Sequence, residues 1–160
     1  MRPARDWAFA LIVLGLSATA PADASAGSGD STFTPQTSLQ AEMYGKDEHF
    51  YSLNLDRRMA QSAALRFGFG LWGPGEIYGV PVSASALIGS GDLCVELGVG
   101  GLYLLGTEMT DIGSNLLVTS FGGVRYQPRN GGMFLRAGVG PIYGGGNWEV
   151  WPAVSLGYSF

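Results

Sequence analysis

Six charged residues are spread along runs rich in apolar and small residues: Glu42, Asp56, Arg66, Glu96, Arg125 and Arg136. Three carboxylates and three guanidiniums set in such surroundings can do two things once buried. They can pair, because an unpaired buried charge is very costly to dehydrate. Alternatively, pairs that rearrange could pass a proton or small ion along the interior. Gln40, Asn54 and Gln127 carry amides that could join either arrangement. The sequence favours the first: a charge network that fills an interior and fixes register.

Covalent or metal chemistry finds less support. His49, the single histidine, has Ser52 three residues on and Asp47 and Glu48 beside it. That grouping could serve an acyl hydrolase or transferase, but Ser52 falls in a strand-like run while His49 falls in a loop. No catalytic residue is assigned. A lone cysteine, Cys94, excludes an internal disulfide and a thiolate metal cluster, so no metal site is expected. The glycine runs 98–101 and 144–146 lack the following Lys-Ser/Thr of a phosphate loop, and no cofactor is expected. A net charge of −4 without a basic run argues against nucleic acid.

The elements that must position the charges are strands. Hydrophobic residues make up 46% of the chain and charged ones 14%, against roughly 25% in soluble domains. Apolar residues alternate with polar or small ones in eight runs: 37–44, 50–57, 63–72, 80–88, 93–105, 116–127, 133–143 and 150–160. Tight turns are expected at 89–92 and 128–132, with Asn130-Gly131 suited to positive φ, and a slightly longer turn at 58–62. Longer connections are expected at 45–49, 73–79, 106–115 and 144–149. The longer set carries Asp47, Glu48, Glu76, Glu108, Asp111 and Glu149 against only Lys46, while Arg57, Arg58 and Arg129 sit at the turns. Solvated loops explain the acidic set; a divalent-cation bridge to lipopolysaccharide phosphates or an adhesive surface would be its functional use.

One phase of this alternation is mostly apolar, and the other collects all six charges. Leu65, Phe67, Phe69 and Leu71 share a face, with Arg66 between them; Val95, Leu97, Val99 and Tyr103 do the same around Glu96. No charge falls on the apolar phase mid-strand, where lipid would penalise it by roughly 2–4 kcal/mol. Tyr51, Tyr103 and Tyr143 lie on that phase at the loop ends, and Tyr126, Tyr158 and Phe160 at the turn ends, as two aromatic girdles would. These patterns predict an all-β, closed, antiparallel up-and-down transmembrane barrel of eight strands with a side-chain-filled lumen.

Residues 1–26 read as a secretory signal: Arg2 and Arg5, a short apolar run 7–16, and Ala-x-Ala sites favouring cleavage after Ala24 or Ala26. Residues 27–36 read as a flexible leader, leaving 37–160 for the barrel. At the other end Val154, Leu156, Tyr158 and Phe160 alternate with small residues. A terminal aromatic behind such a run is similar to the signal that barrel-assembly machinery recognises.

Segments 51–58 (YSLNLDRR), 65–68 (LRFG), 95–98 (VELG), 124–132 (VRYQPRNGG), 134–138 (FLRAG) and 155–160 (SLGYSF) carry a wider likeness. Through them the chain resembles a widespread set of uncharacterised small outer-membrane β-barrel proteins of diderm bacteria, from about Phe50 onward. The resemblance implies topology and an outer-membrane location, and it transfers no catalytic residues. Expected partners are outer-membrane lipid and lipopolysaccharide, with barrel-assembly machinery during biogenesis and the chain itself a monomer. A structural or surface-contact role comes first. A narrow channel or small-molecule conduit and a lipid-modifying enzyme are the alternatives.

Overall fold

A strand that is apolar on one face and polar on the other hides only side chains; its edges still offer unpaired N–H and C=O groups. Closing the sheet on itself removes every edge, which lipid requires because it cannot hydrogen-bond the backbone. The computed structural model of the chain describes residues 34–45, 50–72, 77–105 and 115–160 and takes that solution. Its strands are β1 Gln36–Tyr44, β2 Phe50–Ala60, β3 Ala63–Trp72, β4 Ile77–Ile88, β5 Leu93–Leu105, β6 Leu116–Tyr126, β7 Gly132–Gly144 and β8 Asn147–Ser159. Each pairs antiparallel with its neighbours, and β1 with β8 closes the barrel. Phe160, just past β8, exchanges two backbone hydrogen bonds with Thr37 and extends that seam.

The signal and most of the leader, together with His49, Asp47, Glu48, Glu76, Glu108 and Asp111, lie outside the described residues. Gln36 does not belong to a leader. It opens β1, and its Nε2 donates to the Pro128 and Arg129 carbonyls at 2.8 and 2.5 Å.

Several boundaries differ from the sequence reading, each for a local reason. β4 starts at Ile77 rather than Val80, which brings Tyr78 into the sheet opposite Leu71 and Leu105. Between β2 and β3 only Gln61 and Ser62 remain as a turn, after a bulge between Arg58 and Ala60. The longer connection expected at 144–149 is instead a two-residue turn: Gly144 pairs with Asn147 across Gly145 and Gly146, at φ 58° and 87°. Two successive glycines adopt that turn without steric cost, and its twist matches the sheet. In the turn before β7 both Gly131 and Gly132 adopt positive φ, at 79° and 117°. The ladder there ends at Tyr126, so residues 127–131 make a wider connection.

Outside, the barrel is apolar. Leu53, Phe67, Leu97, Val124 and Leu156 are about half exposed, each from a different strand. Among the described residues, Arg57 is the one charge on the outward phase, at the turn end of β2.

Candidate functional site in the lumen

Alternation turns every second residue inward, so each strand delivers its polar set to one shared interior. Glu42 comes from β1, Asp56 from β2, Arg66 from β3, Glu96 from β5, Arg125 from β6 and Arg136 from β7, and all six are buried. The structure brings them together in one lattice. Arg66 lies 3.2 Å from Glu42, 3.4 Å from Asp56 and 3.5 Å from Glu96. Arg125 meets Asp56 and reaches Glu96 at 3.5 Å, while Arg136 contacts Glu42 at 2.5 Å and Glu96 at 3.1 Å. Every carboxylate therefore faces at least two guanidiniums, and the six charges sum to zero. Removing one member would strand a charge, which typically costs about 3–5 kcal/mol.

Neighbouring hydroxyls and amides complete the lattice. Ser85 and Ser155 donate to Glu96 and Glu42 at 2.7 and 3.1 Å. Asn54 donates to Glu42 at 3.2 Å. Gln127 accepts from Arg125 at 2.7 and 3.0 Å and donates to Ser38 at 3.0 Å, tying the charges to the turn-end mouth. Gln40 does not join: it is buried beside Asn54, but its amide atoms make no hydrogen bond. Gly157 and Gly68, its flanking partners in the same row, leave the two amides their space. Two rings sit against the cations, Phe134 at 4.9 Å from Arg125 and Phe121 at 3.2 Å from Arg136.

Arg58 belongs to the lumen rather than to the turn where the sequence reading put it. Two residues after Asp56 it keeps the inward phase, is buried, and donates to the Gln61 carbonyl at 2.6 Å. Cys94 packs with Ala64 and Leu87 near that mouth, a small core residue and a free thiol.

A third zone escaped the sequence reading. Toward the loop end the inward phase turns apolar: Phe50, Trp72, Leu102, Leu104, Leu117, Ile142 and Trp151 form one buried cluster, with Tyr44 and Ile77 against it. Trp72 and Trp151 meet edge-on at 4.9 Å, and Tyr44 lies 6.0 Å from Trp151. Trp151 Nε1 donates to Glu149 at 2.7 Å, placing that acid at the rim of the cap instead of in a free loop. The signal was present, since Leu102 and Leu104 continue the phase of Glu96.

Between cap and lattice lies a chamber of about 60 Å³, lined among others by Tyr44, Arg66, Ser83, Leu102, Thr119 and Arg136. Among the described residues no group of three or more His, Cys, Asp or Glu could hold a metal ion.

The remaining sequence candidates lie on the outer face. Tyr51, Tyr103 and Tyr143 are exposed toward the loop end, where Tyr78 and Trp148 accompany them; Trp148 contacts Tyr143 at 5.0 Å. Tyr126, Tyr158 and Phe160 are exposed toward the turn end, and Val154 and Leu156 share the outward face of β8 with Tyr158.

No protein-family model matches the chain, and neither does any curated protein. Solved structures do. The N-terminal β-barrel domain of Pseudomonas aeruginosa OprF superposes with a TM-score of 0.65 at 14% identity, covering 78% of this chain and 97% of that one. A de novo designed transmembrane β-barrel superposes with a TM-score of 0.54, also at 14% identity, covering 81% and 96%. The chain thus has the fold of small outer-membrane-type barrels.

Proposed function

We propose that the chain is an integral outer-membrane protein whose barrel is closed to flow and serves a structural or surface-contact role. The observation that carries this reading is the double closure of the lumen: a neutral ion lattice across its middle and an apolar cap above it. An apolar constriction resists wetting, and fixed pairs offer an ion no free charge to exchange. Lipid covers the outward face, aromatic girdles hold the two interfaces, and lipopolysaccharide surrounds the loop end. Assembly machinery reads Val154, Leu156, Tyr158 and Phe160, and the signal is removed on export.

Cys94 supplies a native probe of this reading. In outer-membrane fractions, a small water-soluble thiol reagent is expected to leave Cys94 unmodified while the barrel is folded and to label it fully after unfolding. Rapid labelling of the folded protein would contradict a packed turn-end half of the lumen, and recovery of the protein in the periplasmic fraction would refute the membrane location.

A further inference from the structure

Three prolines sit inside strands: Pro152 of β8 keeps its register with Val139, whereas Pro81 of β4 and Pro141 of β7 each withhold a donor from the ladder they face. Pro81 interrupts β3–β4: Phe67 pairs with Val82 and Gly70 with Gly79, and the positions between them do not pair. Pro141 interrupts β6–β7 in the same way, between the pairs Thr119–Ile142 and Gly122–Val139. Both interruptions border the chamber beneath the cap, which Pro81, Ser120 and Phe121 help to line.

The β6–β7 interruption is closed from inside. In an unbroken ladder the Ser120 carbonyl would accept from residue 141, which here has no N–H. It accepts instead from Tyr44 Oη of β1, at 3.2 Å. Gly140 makes that reach possible, because a Cβ there would collide with the Tyr44 hydroxyl. Ser120 Oγ adds a bond to the Pro141 carbonyl at 3.2 Å. Outward cover is thin at this height, since β6 presents Ser120 and Gly122 where its other outward residues are Leu116, Val118, Val124 and Tyr126.

We propose that the β6–β7 seam at Pro141 is a lateral portal in the barrel wall, that Tyr44 is its latch, and that small lipophilic molecules dissolved in the bilayer enter the chamber when the latch releases. This rests on the membrane reading above. The chamber's size limits the entrant to a molecule of a few heavy atoms, and the buried Phe50, Leu102 and Phe121 give it an apolar lining. Passage along the barrel axis stays blocked by the cap and the lattice, so the portal connects lumen to lipid and nothing else.

The test uses the full barrel in lipid nanodiscs, with dissolved molecular oxygen as the probe and NMR relaxation at backbone amides as the readout. Tyr44→Phe keeps the ring and removes the hydroxyl. It is expected to raise oxygen-induced relaxation at Thr119 and Gly100 about fivefold, the population change carried by one net hydrogen bond. Pro141→Val restores the missing N–H, so Tyr44→Phe/Pro141→Val should return both sites to the wild-type level. Pro141→Val alone should fall at or below that level, which keeps the test decisive if Tyr44→Phe does not fold. An unchanged Thr119 in Tyr44→Phe, or a rise that survives Pro141→Val, would overturn the portal. The outward Leu97 amide separates the two readings. Should Leu97 respond to a water-soluble nickel chelate rather than to oxygen, the membrane reading itself fails.

Discussion

Arg125 and Asp56 stand four strands apart, on opposite walls of the barrel, and their side chains meet in the middle. Arg125 Nη1 donates to Asp56 Oδ2 at 3.1 Å, and Nη2 donates to Oδ1. A pair that spans the lumen ties opposite walls of the barrel to each other.

Replacing one member should therefore cost more than replacing both. Arg125→Leu or Asp56→Leu alone is expected to destabilise the barrel by about 3–5 kcal/mol, because the buried lattice is left with one uncompensated charge. Arg125→Leu/Asp56→Leu should recover a large part of that loss. Urea unfolding in phospholipid vesicles, read by the mobility shift of unheated samples on gels, measures all three. Additive losses in the double variant would refute the pairing.

The outward face predicts a depth dependence. Leu97→Arg, mid-strand in β5, should cost about 2–4 kcal/mol in vesicles, and Leu93→Arg at the turn end about 0–1 kcal/mol. Equal costs, measured by the same unfolding assay, would contradict the placement of lipid on this face.

The β7–β8 turn tests backbone chemistry. Gly145→Val or Gly146→Val places a β-branched residue at positive φ, for a penalty of about 1–2 kcal/mol. Gly145→Asn should be tolerated better, since asparagine visits that region. Urea midpoints of the three variants rank the costs, with Asn closest to wild type.

The cap depends on seats left by glycine. A Cβ at Gly79 would press into the Phe50 ring, 2.7 Å from its Cε2. Gly79→Val should displace Phe50 and lower stability by about 1–3 kcal/mol, the usual cost of overpacking. Near-ultraviolet circular dichroism should report the disturbed Phe50–Trp72 contact. Gly89→Ala, at the turn between β4 and β5, should leave that spectrum unchanged.

Strand phase made much of this legible. Period-two alternation places Arg66 between Leu65 and Phe67 with no knowledge of the fold, and the ranges of β3 and β5 follow from it to the residue. Glycine-rich connections were harder. In 144–149 the three glycines look like a loop, yet two of them make the tightest hairpin available; near Gly79 a glycine inside β4 likewise mimicked a loop. Contacts across the lumen were beyond reach. Whether Tyr44 meets Ser120 depends on the stagger that closure imposes on β1 and β6, and no local pattern encodes it. The cap lies between these cases: its phase is readable from Leu102 and Leu104, but apolar residues on the inward phase look no different from a strand that reverses its face.

Closure of the lumen is tested most directly by single-channel recording of the purified barrel in planar bilayers. The lattice and cap predict no steady unit conductance in the wild type, at either polarity. A stable conductance that Arg66→Ala or Glu96→Ala abolishes would contradict them, because those residues would then line an ion path instead of plugging it.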